Sequence, residues 1–248
     1  MNFLPIFKKE LKAYFLSPST YVVLTIFLVL SGYFFYTDLV MFNWFNFKGT
    51  ASMVSGLWQY YFNDVRFILV FVMPLITMRL FAEEKKLGTI ELLVTYPVRD
   101  MEILAGKFLA CMVIFLFMLA LTSINVVLIG MIWDFSEIGP VLTGYLGIFL
   151  LGCSLIACGI FVSSLTDNQI VAAIGTMGIF ILFWFLTWNE MMASERIMKM
   201  LMRLSLFDRV FGFFKGVVNT KDAAFFLLFT CFFLFLTLRS LGSRHGKA

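Results

Sequence analysis

The sequence predicts an all-α, polytopic membrane protein with six transmembrane helices and an N-terminal interfacial helix. Three observations predict it. Of 248 residues, 61% are hydrophobic and only 14% are charged, against about 45–50% and about 25% in soluble domains. The apolar residues fall in long runs, near the roughly 20 residues that a spanning helix needs. Lysines and arginines collect at the edges of those runs, so the net charge of +4 reads as topology information and not as a nucleic-acid footprint. In hydrocarbon every backbone N–H and C=O needs a partner within its own segment, which makes the runs helices.

Residues 2–16 come first. Phe3, Phe7, Leu11 and Phe15 recur every four residues, with Ile6 and Tyr14 beside them, while Lys8, Lys9 and Lys12 lie off that stripe. This is the pattern of an amphipathic helix lying in the membrane surface. Ser17-Pro18-Ser19 breaks it. The first span covers residues 20–37, and no small-x-small cleavage site follows, so it is expected to stay as a signal anchor. The second covers 62–81. Arg66 and Arg79 near its ends are expected to snorkel to the interfaces, and Pro74 to kink it. The third, 108–133, is long enough to tilt. The fourth, 141–165, carries Gly144, Gly147, Gly152 and Gly159, which suits close helix contact. A tight turn at Thr166-Asp167-Asn168 leads to the fifth, 169–188, and a short sixth covers 223–238.

The whole chain, 1–248, therefore reads as one transmembrane domain with two long, charged connections, 82–107 and 189–222. Long connections in a compact bundle tend to carry function. In the second, Ile197, Leu201, Leu204 and Phe207 or Phe211 share one helical face, so an amphipathic helix on the outer face is expected. The GxxxG patterns at Gly212–Gly216 and Gly242–Gly246 lie outside the apolar runs and carry no weight as dimerisation motifs. With six spans both termini share a side. That side holds eleven lysines and arginines against eight, or eleven against two when the last long connection is left out. The positive-inside rule then places both termini in the cytoplasm.

Much chemistry is excluded. The one histidine, His245, sits in the polar tail, which rules out a Ser-His couple or a His-rich metal site within the spans. No GxxxxGK[ST] occurs, so the chain has no P-loop. Cys111, Cys153, Cys158 and Cys231 lie in apolar runs at spacings unlike CxxC and read as small buried hydrophobes. Polar groups within the spans are few and uncharged: Thr122, Ser123, Asn125, Ser154 and Thr176 are the main ones. Ion-coupled carriers place ionisable groups or broken helices at mid-membrane. Something outside the chain is therefore expected to supply the energy.

Residues 77–107 read TMRLFAEEKKLGTIELLVTYPVRDMEILAGK. This resembles the signature cytoplasmic loop of ABC-2 type transporter permeases, EE(K/R)xxGTxELLxxxP followed by Gly-Lys into the next span. The matching residues are Glu83, Glu84, Lys85, Gly88, Thr89, Glu91, Leu92, Leu93, Pro97, Gly106 and Lys107. The opening FKKELKAYFLSPSTY looks like the family's interfacial elbow helix. FVSSLTDNQIVAA, 161–173, looks like its turn between spans four and five, and FFKGVVNTKDAAFF, 213–226, like its approach to span six. The branch it resembles is that of the gliding-motility-associated and nitrous-oxide-reductase-maturation permeases.

The resemblance implies that the loop docks on a separate ATPase and carries its motion to the spans. The residues suit that. Gly88 permits a sharp turn. Thr89 can cap the following helix. Ile90, Leu92 and Leu93 offer apolar anchors and Glu91 a charged contact. Pro97 ends that helix, and Asp100 is expected to cap the next. From the elbow helix, Phe3, Phe7, Lys8, Lys9, Leu11 and Lys12 are expected to brace the same partner. The resemblance further implies no enzymatic activity and no cofactor in this chain, ATP and Mg being bound by the ATPase. Implied partners are an ATPase dimer, a second permease copy or a paralogue, membrane lipid, and an accessory or periplasmic subunit. The implied location is the bacterial cytoplasmic (inner) membrane. Two other readings are mechanical work on a periplasmic partner without transport, and an ATP-independent channel, which the lack of charged rings disfavours.

Overall fold

A computed structural model describes residues 3–46, 57–88, 99–132, 138–185 and 205–245. These residues form helices α1 Phe3–Leu16, α2 Pro18–Asn46, α3 Gln59–Thr77, α4 Arg79–Lys86, α5 Asp100–Thr122, α6 Ile124–Ile132, α7 Ile138–Leu165, α8 Gln169–Phe185, α9 Leu206–Arg209, α10 Phe211–Phe214 and α11 Thr220–His245. There is no strand among them. Five helical stretches are long and apolar enough to cross a membrane: Pro18–Trp44, Gln59–Lys86, Asp100–Met131, Ile138–Leu165 and Thr220–Gly242. The fifth expected span appears as the shorter apolar helix α8, whose described part ends at residue 185.

Several spans are longer than the sequence pattern suggested. Helix α2 continues nine residues beyond Thr37, to Asn46. The last span, expected to be short, runs 26 residues from Thr220 to His245. The helix into the third span starts at Asp100, so two turns lie ahead of its apolar run. Apolarity marks only the part of a helix that meets lipid, whereas the backbone ladder continues into the interface wherever side chains permit. Asp100 is not the cap expected of it. Arg99 occupies that position in extended conformation, and Asp100 and Glu102 fall in the first turn, where carboxylates complement the positive end of the helix dipole.

The central pair is α3–α4 against α7. A Cβ on Gly144 would overlap the ring of Phe62, and one on Gly159 would overlap the side chain of Thr77. The Phe81 N–H reaches Ser163 at the same sequence offset of 82 as those two contacts. A constant offset means two parallel helices in register along their whole length. Helix α11 lies parallel on α7 as well, with Ser154 on the Phe226 carbonyl at an offset of 72 and Phe161 against Phe233. Helix α5 runs antiparallel, since Gly152 receives Phe115 while Thr122 reaches Tyr145. Successive spans thus alternate. The N-terminal helix and the C-terminal end of α11 share one end of the bundle, called the near end below.

Lipid tails are as apolar as these side chains, so burial itself does not drive helices together in a bilayer; close packing and interhelical hydrogen bonds do. Four of the five glycines of α7, Gly144, Gly147, Gly152 and Gly159, work in that way. The fourth close contact is Gly147 beneath Phe213 and Val210. Interhelical hydrogen bonds add to this: Tyr61 joins Ser31 at 2.8 Å and accepts from Asn125 at 3.2 Å, tying α2, α3 and α6 together.

The far end departs from expectation. The amphipathic helix expected on the outer face involves Ile197, Leu201 and Leu204, which lie outside the described residues. Beyond them, α9 and α10 do not lie on the surface. Leu206, Phe207, Val210, Phe213 and Phe214 are buried, and the segment wedges into the bundle against α3, α7 and α8. Phe211, the alternative to Phe207 on the expected face, lies over Arg66. Arg66 does not snorkel. It is 5% exposed, donates to the Phe207 carbonyl at 2.6 Å and to Asn63 at 2.5 Å, and lies between the rings of Trp184 and Phe211. The wedge brings a carbonyl and two aromatic faces to the guanidinium, so it need not reach water. The spans are also less neutral than expected: the longer α2 takes in Asp38, which is 8% exposed. Cys231 is exposed, unlike the other three cysteines.

Gly152→Val is expected to lower stability by about 1–3 kcal/mol through overpacking against Phe115. A thermal melt in detergent, read by loss of the monodisperse peak, checks it.

Candidate functional site

The near end gathers three elements around one ammonium. Helix α1 packs along the start of α5 because Gly106 has no side chain; a Cβ there would stand 2.8 Å from Ile6 Cγ2. The face of α1 turned inward carries Ile6, Glu10 and Tyr14, and not Phe15, which is 39% exposed. Phe3, Phe7 and Leu11 are half-buried, and Lys8, Lys9 and Lys12 are exposed, as the sequence pattern indicated.

One residue after Gly106, Lys107 is 1% exposed. Its Nζ lies 2.9 Å from Glu10 and 2.9 Å from Glu84, so it joins α1, α4 and α5. The ammonium also lies over the Phe81 ring at 5.2 Å. Lys9 approaches Glu84 at 3.4 Å from the exposed side. A buried lysine with one carboxylate would still be costly to desolvate; two carboxylates and an aromatic face offset that cost. Tyr14, one turn beyond Glu10, donates to the Ile76 carbonyl at 3.0 Å. Burial holds its phenol well above its ordinary pKa, so it remains a neutral donor.

Helix α4 is a short extension of α3 across an interruption at Met78. Pro74 supplies no N–H to the ladder. Thr77 bonds back to the Met73 carbonyl at 2.9 Å. Ser163 of α7 stands in beyond the break. Its hydroxyl accepts the N–H groups of Phe81 and Ala82 at 3.1 Å each and donates to the Met78 carbonyl at 2.8 Å. An uninterrupted helix would pair those N–H groups with the carbonyls of Thr77 and Met78. The hydroxyl therefore braces the start of α4 from the side, beside the backbone ladder that resumes at Met78. Lys85 adds a bond to the Ser164 carbonyl, and Arg79 donates to Ser17 at 2.6 Å and to Ser19, fixing α4 to the turn between α1 and α2.

Helix α4 ends at Lys86, and the chain turns at Gly88. The Leu87 N–H bonds the Glu83 carbonyl at 3.0 Å and the Gly88 N–H bonds the Lys85 carbonyl at 3.1 Å. Gly88 has φ +69°, the left-handed conformation that glycine adopts most readily just beyond a helix end. Glu83, Glu84 and Lys85 are thus brought together on α4 beside Lys9. Thr89, Ile90, Glu91, Leu92, Leu93 and Pro97 lie outside the described residues. The sequence reading missed Glu10, Ser163, and the ionic role of Lys107. Glu10 was signalled: it is the only acid in α1 and falls on the Ile6–Tyr14 face, where an unpaired carboxylate is costly.

Lys107→Met is expected to destabilise the protein by about 3–5 kcal/mol, because Glu10 and Glu84 are left facing each other. Adding Glu84→Gln to Lys107→Met is expected to recover part of the loss. Detergent melts of the two variants decide it; equal melting temperatures would mean the cluster is not coupled.

The model of the family described as ABC-2 family transporter protein matches residues 4–209 of the chain. No curated protein matches it.

Proposed function

The chain belongs to the ABC-2 family of transporter proteins, and on that premise we propose that it carries the work of ATP hydrolysis, performed by separate ATPase subunits, into its membrane bundle. The family makes the chain a membrane permease subunit of an ABC transporter. The finer reading is that the loop after Gly88 docks on the ATPase, through Thr89, Ile90, Glu91, Leu92 and Leu93, as far as Pro97. Catalysis, with ATP and Mg, resides in that partner. A second permease, identical or paralogous, completes the assembly.

The observation that carries the reading is the Lys107 cluster. The loop leaves from α4 and returns into α5, and both are held with α1 by Lys107, Glu10 and Glu84. A load applied to the loop therefore meets one body made of its entry helix, its exit helix and the N-terminal helix. The motion passes to α3 across Met78, and to α7 through Ser163. A flexible attachment at either end of the loop would absorb the stroke; a buried ion cluster does not.

The near end is read as the cytoplasmic side of the bacterial inner membrane. The lysine and arginine balance supports this, as does the shared position of α1 and the end of α11.

Glu91→Arg or Gly88→Trp is expected to cut recovery of the ATPase on a tagged, detergent-solubilised permease by tenfold or more, on the order of 1.4 kcal/mol or above, while leaving the permease inserted. Identification of chains co-purifying from the native membrane checks it, and undiminished recovery of a Walker-A ATPase would count against docking. For orientation, a cysteine placed at Asn43 is expected to react with a membrane-impermeant reagent from outside the cell, and one at Lys86 only after permeabilisation. The reverse pattern would invert the topology.

A further inference from the structure

A cavity of about 370 Å3 opens between α1 and α4, walled by Ala13, Leu80 and Leu87 as well as by charged side chains. Six of its lining residues are ionic: Lys9, Arg79 and Lys107, and Glu10, Glu83 and Glu84. Four of them neutralise one another. Lys107 and Lys9 pair with Glu10 and Glu84. Two remain. Among the described residues Arg79 has only the neutral hydroxyls of Ser17 and Ser19, and Glu83 has no cation within ion-pair distance.

Arg79 and Glu83 are one helical turn apart, at the i, i+4 spacing that favours a direct pair. They do not form one, because the two serines draw the guanidinium toward the turn between α1 and α2. The serine hydroxyls lie 2.8 Å apart and share one hydrogen between them; when Ser19 is the donor, the O–H of Ser17, which lines the cavity, is left to donate there. The cavity thus offers a guanidinium and a hydroxyl donor at one position and an unpaired carboxylate a turn away.

We infer that this cavity binds a phosphate ester that also carries a primary ammonium, the chemistry of a phosphatidylethanolamine headgroup. The phosphate oxygens accept from Arg79 and the spare serine hydroxyl, and the ammonium donates to Glu83. Charge balance selects this class. A singly anionic headgroup would satisfy Arg79 and leave Glu83 facing an anion. A quaternary ammonium has no N–H to donate to Glu83. The inference is independent of ATPase docking. It places the lipid form of the ligand there only if α1 lies at the bilayer surface, as its exposed Lys8, Lys9 and Lys12 indicate.

The test uses the full chain, delipidated in detergent and offered equal amounts of phosphatidylethanolamine, phosphatidylglycerol and phosphatidylcholine, with retained lipid counted by native mass spectrometry. Phosphatidylethanolamine is expected to be retained over phosphatidylglycerol by roughly fivefold, the upper range for one partly exposed ion pair. Glu83→Gln is expected to bring that ratio close to one, and Glu83→Asp to keep most of it. Arg79→Gln should lose retention of both lipids. In a second arm soluble phosphoethanolamine competes with the bound lipid. Displacement would show that the headgroup alone suffices and that a soluble source serves; no displacement would assign the site to the lipid. Equal retention of the lipids by the wild-type chain, or an unchanged ratio in Glu83→Gln, would overturn the inference.

Discussion

Lys107 is the point on which the near end of the molecule depends. Its side chain is almost wholly buried, and the energetic demand of that burial dictates its surroundings. Glu10 must face inward, which sets the rotation of α1. Glu84 must face the same point, which sets the rotation of α4. Gly106 must lack a side chain, because α1 has to come close enough for Glu10 to arrive. A single buried cation thus orients three helices. A purely apolar contact of the same size would leave their rotation to general packing.

The second span is the long member that joins the two ends. At the near end it is interrupted at Met78 and braced there by Ser163 of α7. At the far end Arg66 holds the α9–α10 wedge through the Phe207 carbonyl and the rings of Trp184 and Phe211. The near end is secured by a side chain of α7 and the far end by the span's own Arg66, while the middle runs parallel and in register with α7. The same helix therefore meets the signature loop at one end and the inserted segment at the other, with α7 as a rail between them. The glycines of α7 make the rail possible. Gly144 and Gly159 take side chains of α3, Gly152 one of α5 and Gly147 one of α10, so one helix serves as the common surface for all three.

The apolar runs and their helical character were legible from the amino acids alone. Lipid admits no unpaired backbone, so a long apolar run has one structural solution. The loop around Glu83, Glu84 and Gly88 was legible as a pattern of residue types, and the family match to residues 4–209 agrees with it. The glycine spacing of α7 also announced close contact correctly.

Other features belonged to the tertiary structure, for a common reason. Charge placement at Glu10, Lys107, Arg66 and Asp38 depends on which partners other segments deliver, and those segments are distant in sequence; Lys107 and Glu10 are 97 residues apart, and Arg66 and Phe207 are 141 apart. A local reading therefore sent Arg66 to the interface and the α9–α10 segment to the surface, since each considered by itself has no better place. Helix ends were misjudged in the same way, because hydropathy reports contact with lipid and not continuity of the backbone. By itself, then, the sequence determined that this chain is a helical membrane bundle with an ABC-2 signature loop. Only the tertiary structure decided which ions are buried together, where the second span is interrupted, and what its two ends hold, because those are properties of pairs of segments and not of any one of them.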